Sequence, residues 1–231
     1  MTKTPRPQAL LFDLDGTLMD TAPDIAHSLN LALARLQFPN VSEDQIRGVI
    51  SEGGNAIIEH CFGQTLSAFD RQQLKEHFYQ IYRDQACQHA RPFPGIQELL
   101  LNLKAQGLAW GIVTNRSTLL SQWMIQAHPF LQEAQCIVSA DTTSHPKPHP
   151  APLLHASESL NGSPQSSIFV GDSCIDMEAA KRAGMTALLV SYGYGPFPSL
   201  TDSPWSPNQV LNHPLDLLLY LNTWQPLSNL A

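Results

Sequence analysis

The chain has 231 residues, of which 43% are apolar and 14% charged, with a formal net charge of −7. This composition supports a buried core and excludes a disordered chain. The acid excess excludes a general nucleic-acid binder, which needs many Lys and Arg contacts to phosphate, but leaves room for a small anionic substrate at a local site.

Cys61, Cys87, Cys136 and Cys174 form no CxxC pair, which argues against zinc or a redox pair. No apolar run is long enough to span a bilayer, and residues 1–8 carry no signal-peptide pattern. A reduced, cytoplasmic protein with no membrane partner is the expectation.

Ala9-Leu10-Leu11-Phe12 is a continuous apolar run, read as a buried strand of a parallel sheet, and the loop Asp13-Leu14-Asp15-Gly16-Thr17 follows it. From Thr21 the period turns helical. Thr21 reads as an N-cap with Pro23 in the first turn, and Ile25, Leu29, Ala32, Leu33 and Leu36 fall on one face. Ser42 caps a second helix, aided by Glu43 and Asp44 near its positive end. Gly53-Gly54 breaks that segment and Ala56 to Cys61 restarts it. A longer helix runs from Phe69 to about Cys87, with Leu74, Phe78, Ile81 and Tyr82 inward. No strand is expected between 21 and 89, so the block reads as an all-helical insert.

Arg91-Pro92-Phe93-Pro94-Gly95 is a stiff break, after which strands and helices alternate. Strands are expected at 108–114, 136–139, 167–170 and 186–191, separated by helices at 96–105, 117–126, 151–160 and 175–183. Residues 193–208 read as loop, 209–211 as a short edge strand and 214–221 as a last helix. The pattern implies an α/β fold: a doubly wound, Rossmann-like parallel sheet over residues 1–19 and 91–231, with an all-helical cap domain inserted at 20–90.

Chemistry-bearing residues stand where strands end: Asp13 and Asp15, Thr114, Lys147 in a following loop, and Asp172 with Asp176. Strand ends of a parallel sheet gather on one edge, so these distant residues can meet. Their carboxylates make the oxygen-rich nest that a hard cation such as magnesium prefers. Lys147 can hold a phosphate, and the Thr114 hydroxyl with backbone N–H groups can hold further phosphate oxygens. A carboxylate can attack phosphorus to form an acyl phosphate, while a second one two residues on protonates the leaving oxygen and later activates water.

These segments resemble the haloacid dehalogenase superfamily. Asp13-Leu14-Asp15-Gly16-Thr17-Leu18 resembles its motif I, Thr114-Asn115 motif II, Lys147-Pro148 motif III, and Gly171-Asp172-Ser173-Cys174-Ile175-Asp176 motif IV. The resemblance implies a Mg2+-dependent phosphatase of a small phosphorylated metabolite, with the helical insert as a subclass I cap. Asp13 is then the nucleophile, and Asp15 the general acid/base that lends the metal its backbone carbonyl. Asp172 completes the metal site, Asp176 ligates or supports it, and Thr114, Asn115 and Lys147 meet the phosphoryl group. An acid at Asp15 separates the chain from the family's dehalogenases. Ile175 and His145 depart from the usual residues at their positions without removing a catalytic group.

Asp20-Thr21-Ala22-Pro23-Asp24 resembles the phosphoglycolate phosphatases. Ser51-Glu52-Gly53-Gly54, Arg91-Pro92-Phe93, Trp110 to Asn115, Tyr192-Gly193-Tyr194 and His213-Pro214-Leu215 resemble bacterial N-acetylmuramic acid 6-phosphate phosphatases. Both substrates stay open. Gly53 and Gly54 either break a helix or turn bare N–H groups toward substrate, and Arg47 and Arg116 are either solvated or meet a substrate carboxylate. A phosphomutase of the same superfamily is the near alternative. A receiver-like phosphoryl-binding module is a remoter one, since it lacks so large a helical insert. No heptad seam fixes an oligomeric state. Hinges near 19–22 and 90–94 imply a cap that opens and closes.

Overall fold

The computed structural model describes residues 6–85, 87–195 and 204–227. Its centre is a six-stranded parallel sheet of β1 (Ala9–Phe12), β4 (Trp110–Val113), β5 (Cys136–Val138), β6 (Ser167–Gly171), β7 (Thr186–Val190) and β8 (Gln209–Leu211), in the order β5-β4-β1-β6-β7-β8. β1 pairs with β4 and β6 in parallel, so the run that ends at Asp13 lies in the middle of the sheet. β1, β4, β6 and β7 are buried along their whole length, which explains their continuous rather than alternating hydrophobicity.

Side chains alternate between two cores, as the pleat requires. Leu10, Phe12, Ile112, Ile168, Val170 and Leu188 join one, with Leu99 of α5 (Ile96–Ala105), Met124 of α6 (Thr118–Ala127) and Leu217 of α9 (Asp216–Leu221). Ala9, Leu11, Val113, Phe169, Ala187 and Leu189 join the other, with Leu153 of α7 (Ala151–Ser159) and Met177 of α8 (Cys174–Ala183). The doubly wound α/β expectation holds, down to the short edge strand β8.

The helical segment comprises α1 (Ala22–Arg35), α2 (Glu43–Arg47), α3 (Gly54–Phe62) and α4 (Ala68–Gln85). It leaves and re-enters the sheet domain through β2 (Met19–Asp20) and β3 (Arg91–Pro92), an antiparallel pair that periodicity did not predict because each strand is too short to carry a pattern. The buried Asp24 carboxylate accepts the His89 and Ala90 N–H groups at 2.9 and 2.8 Å, tying the start of α1 to the returning chain.

Ser42 forms the expected cap, a reciprocal capping box with Gln45. Thr21 does not. It occupies the N-cap position of α1, but its hydroxyl donates to the Asp15 carboxylate instead of satisfying the helix. Of the 193–208 loop, 193–195 and 204–208 lie outside any helix or strand, and 196–203 lie outside the described residues. No helix among the described residues is long and apolar enough to cross a membrane.

Candidate active site

Asp13 emerges from the C-terminal end of β1, where its N–H donates to Val170 O at 2.9 Å and pins it between strands. Lys147 reaches the same point from the loop after β5. Its Nζ lies 2.8 Å from Asp13 Oδ1, and donates to Asp176 Oδ1 at 2.7 Å and to Val113 O at 2.9 Å. All three side chains are almost fully buried. Asp172 follows β6, and its Oδ2 accepts the Tyr194 N–H at 2.8 Å. Asp176 sits in the first turn of α8, where its other oxygen accepts the Ser173 N–H and hydroxyl at 3.1 and 2.6 Å. It therefore caps its helix and orients Lys147 at once.

Asp13, Asp172 and Asp176 each offer an oxygen within 4.8 Å of the others. Burial, then the neighbouring carboxylates Asp176 and Asp15, push Asp13 up to about 7 against the pull of Lys147. Burial, with Asp176 and Asp13, raises Asp172 as well. Burial pulls Lys147 down, but Asp13 and Asp176 outweigh it and hold the ammonium charged. Three buried carboxylates thus face one ammonium, and Asp13 and Asp172 resist ionisation without another positive charge. An all-oxygen donor set with excess negative charge fits a hard divalent cation.

The Asp15 side chain lies outside that set. Arg116 Nε donates to both of its oxygens at 3.0 and 2.9 Å, and Arg116 Nη2 adds a bond of 2.7 Å. Only its main-chain carbonyl remains for the expected metal role. Burial lowers the Arg116 pKa, but Asp15 and Tyr82 overcome it and raise it well above the ordinary value. Gly16, at φ +82°, makes the turn just after Asp15, and a Cβ there would collide with the Asp172 carboxylate.

Thr114 is buried at the end of β4, where its hydroxyl oxygen accepts the Arg116 N–H at 3.1 Å. The Asn115 side chain is engaged within the protein. Its amide donates to Ser51 O and Lys147 O at 3.1 and 3.0 Å and accepts the Lys147 N–H at 3.0 Å. That side chain therefore holds the Lys147 loop rather than facing a phosphate. Its backbone N–H has no partner among the described residues.

The two arginines offered as substrate contacts are both paired with acids of the protein. Arg116 is buried, with its head group engaged by Asp15 and by Tyr82 Oη at 2.7 Å. Arg47 pairs with Asp20 and Glu43 and lies over the Tyr194 ring, 5.1 Å from its centroid, beside the first hinge. The Arg47–Glu43 pair is an i,i+4 pair that helical spacing offers, whereas Arg116 meets an acid about a hundred residues away that no local pattern pairs with it. Gly53 and Gly54 do line a cavity of about 240 Å³ that opens beside Asp15. Ile25, Leu29, Ile57 and Phe78 form much of its apolar wall.

Three further side chains make contacts at the site that the sequence does not encode. Tyr194 Oη accepts the Thr21 and Ala22 N–H groups at 2.5 and 2.9 Å and donates to Asp20 at 2.9 Å, joining the hinge to the Asp172 loop. Tyr82 reads as core by its helical spacing, and only its hydroxyl hints at the Arg116 bond. Ser51 stands 3.4 Å from Asp172 Oδ1, with no local signal for it. Cys174 is exposed, and partial burial raises its thiol pKa; all four cysteines are unpaired.

The haloacid dehalogenase-like hydrolase family model matches residues 10–190. The N-acetylmuramic acid 6-phosphate phosphatase of Pseudomonas aeruginosa is 33% identical over 94% of this chain and 95% of its own length. The phosphoglycolate phosphatase of Xanthomonas campestris pv. campestris is 35% identical over 81% of this chain and 85% of its own. A crystal structure of a predicted phosphoglycolate phosphatase from Haemophilus somnus superimposes with a TM-score of 0.85 at 28% identity, covering 95% of this chain and 99% of that one. The chain belongs to the haloacid dehalogenase-like hydrolases, and within them it is a phosphoric monoester hydrolase.

Proposed function

We propose that the chain removes phosphate from a small acidic metabolite through a phosphoryl-enzyme on Asp13, with Mg2+ as cofactor. The observation that carries this reading is the buried Asp13 carboxylate, held 2.8 Å from Lys147 beside Asp172 and Asp176. Asp13, Asp172 and the Asp15 carbonyl would hold the metal, with Asp176 supporting it. When bound, Mg2+ supplies the positive charge that lets an anionic carboxylate approach an anionic phosphate.

An Asp13 oxygen attacks phosphorus and the ester P–O bond breaks. Lys147, the Thr114 hydroxyl and the Asn115 N–H hold the phosphoryl oxygens, a task of positioning and charge balance. Asp15 gives a proton to the leaving oxygen. It then takes one from the water that attacks phosphorus, releasing phosphate and restoring Asp13. Arg116 fixes where Asp15 points in both steps.

Residues 20–90 act as a cap on the core formed by 1–19 and 91–231 in this reading. Three contacts from the cap support it: Ser51 with Asp172, Tyr82 with Arg116, and Tyr79 Oη with Ser117 Oγ at 3.3 Å. Phosphoglycolate and N-acetylmuramic acid 6-phosphate, the substrates in the relatives' names, are the two candidates. The test is phosphate release from both, from neutral sugar phosphates and from an aryl phosphate, with and without Mg2+. Release that needs Mg2+ and vanishes in Asp13→Asn is expected. Release that survives this substitution would refute the reading.

A further inference from the structure

We infer that Lys75 forms a subsite for a carboxylate carried by the substrate, in the cavity that opens beside Asp15, and that this carboxylate sits on a skeleton larger than that of phosphoglycolate. The inference rests on the phosphatase reading and adds what the leaving group is.

Among the described residues, Lys75 is the one lysine or arginine whose head group has no hydrogen bond, ion pair or ring contact. Every other described cation meets a carboxylate, a carbonyl or a polar side chain. Lys75 is nevertheless only part-exposed, and it lines the 240 Å³ cavity that opens beside Asp15. Leu74, Phe78 and Tyr79 line the same cavity from the same helix, as residues three and four apart on one face do. Lys75 thus presents an unpaired positive charge at the edge of an apolar cavity, where an anionic group on a bound molecule would find a partner.

The other cations near the reaction centre are occupied. Arg116 lines the cavity but is held by Asp15, and Lys147 lies between Asp13 and Asp176. A second anionic group on the substrate therefore has one unclaimed partner, Lys75. Asn55, which also lines the cavity and whose side chain has no hydrogen-bond partner among the described residues, offers a neutral amide there.

The cavity's size favours a substantial leaving group. Its 240 Å³ far exceeds the ~30 Å³ share of one water in the liquid, and its lining is mostly apolar. A two-carbon acid would leave most of that wall uncovered. A sugar ring bearing an acidic substituent would cover it and deliver a carboxylate to Lys75.

The experiment compares kcat/KM for N-acetylmuramic acid 6-phosphate, for N-acetylglucosamine 6-phosphate, which lacks the carboxylate, and for phosphoglycolate. Wild type, Lys75→Met and Lys75→Arg are assayed. The ratio of acidic to neutral sugar should fall about tenfold in Lys75→Met, chiefly through KM, and recover in Lys75→Arg. A ratio unchanged within about twofold overturns the subsite, and phosphoglycolate as the best substrate overturns the size argument. Calorimetric binding of the same two sugars to Asp13→Asn, with and without Lys75→Met, reads the ratio without turnover. Loss of the preference there supports the subsite even if every ester resists hydrolysis, and equal affinities refute it.

Discussion

At the residue scale, the site is a problem of crowded charge solved by pairing. Asp13 and Asp15 are two positions apart, yet one faces Lys147 and the other Arg116. Arg116→Met would leave the Asp15 carboxylate buried without its cation, so unfolding free energy should drop by roughly 3–5 kcal/mol, measurable by urea denaturation. Asp13 makes a pH-dependent prediction. Its pKa in the fold, raised to about 7 chiefly by burial, exceeds its ordinary value. The folded state then binds the proton more tightly than the unfolded one. This group's contribution therefore falls as pH rises from the ordinary carboxylate range to about 7, and levels off above it. A cation that needs the ionised carboxylate competes with that proton. The rise in melting temperature produced by Mg2+ should be larger at about pH 8 than at about pH 6. An equal rise at both would contradict the assignment of Asp13 to the metal site.

At the element scale, loops at the sheet edge are braced by a few side chains. The Tyr194 hydroxyl gathers Thr21, Ala22 and Asp20 at the hinge, while its own N–H holds Asp172. Tyr194→Phe keeps the ring and removes that hub. It should cost about 1–3 kcal/mol, because buried hinge N–H groups lose their acceptor, and thermal melts would detect it. Gly16→Ala would force a side chain into a positive-φ turn and against Asp172. It should weaken Mg2+ binding by about tenfold or more in calorimetry, with far-UV circular dichroism unchanged.

The sequence already carried the elements themselves. Central strands such as Ile168 to Val170 are read from unbroken apolar runs, and α1 from the spacing of Ile25, Leu29 and Leu33. The strand-end acids were legible because parallel topology gathers them. The partners of Arg116, Asn115 and Tyr194 were not. Each is fixed by a residue distant in sequence or by a loop whose path no local pattern encodes.

At the scale of the whole molecule, the helical segment lies over the site and touches it through Ser51, Tyr79 and Tyr82. Entry of a substrate into the cavity requires those contacts to part and re-form if residues 20–90 act as a cap. Spin labels on α4 and α7 should give a longer, broader distance distribution in the free protein, narrowing with Mg2+ and a phosphate analogue. Identical distributions would argue against a moving cap. The central claim remains the covalent step on Asp13. The most direct measurement is acid quench during turnover, borohydride reduction of any acyl phosphate, and mass spectrometry of the peptide that contains residue 13. Reduction at Asp13 that needs both substrate and Mg2+ is expected. Rapid turnover with Asp13 unmodified, or with the label on another carboxylate, would contradict it.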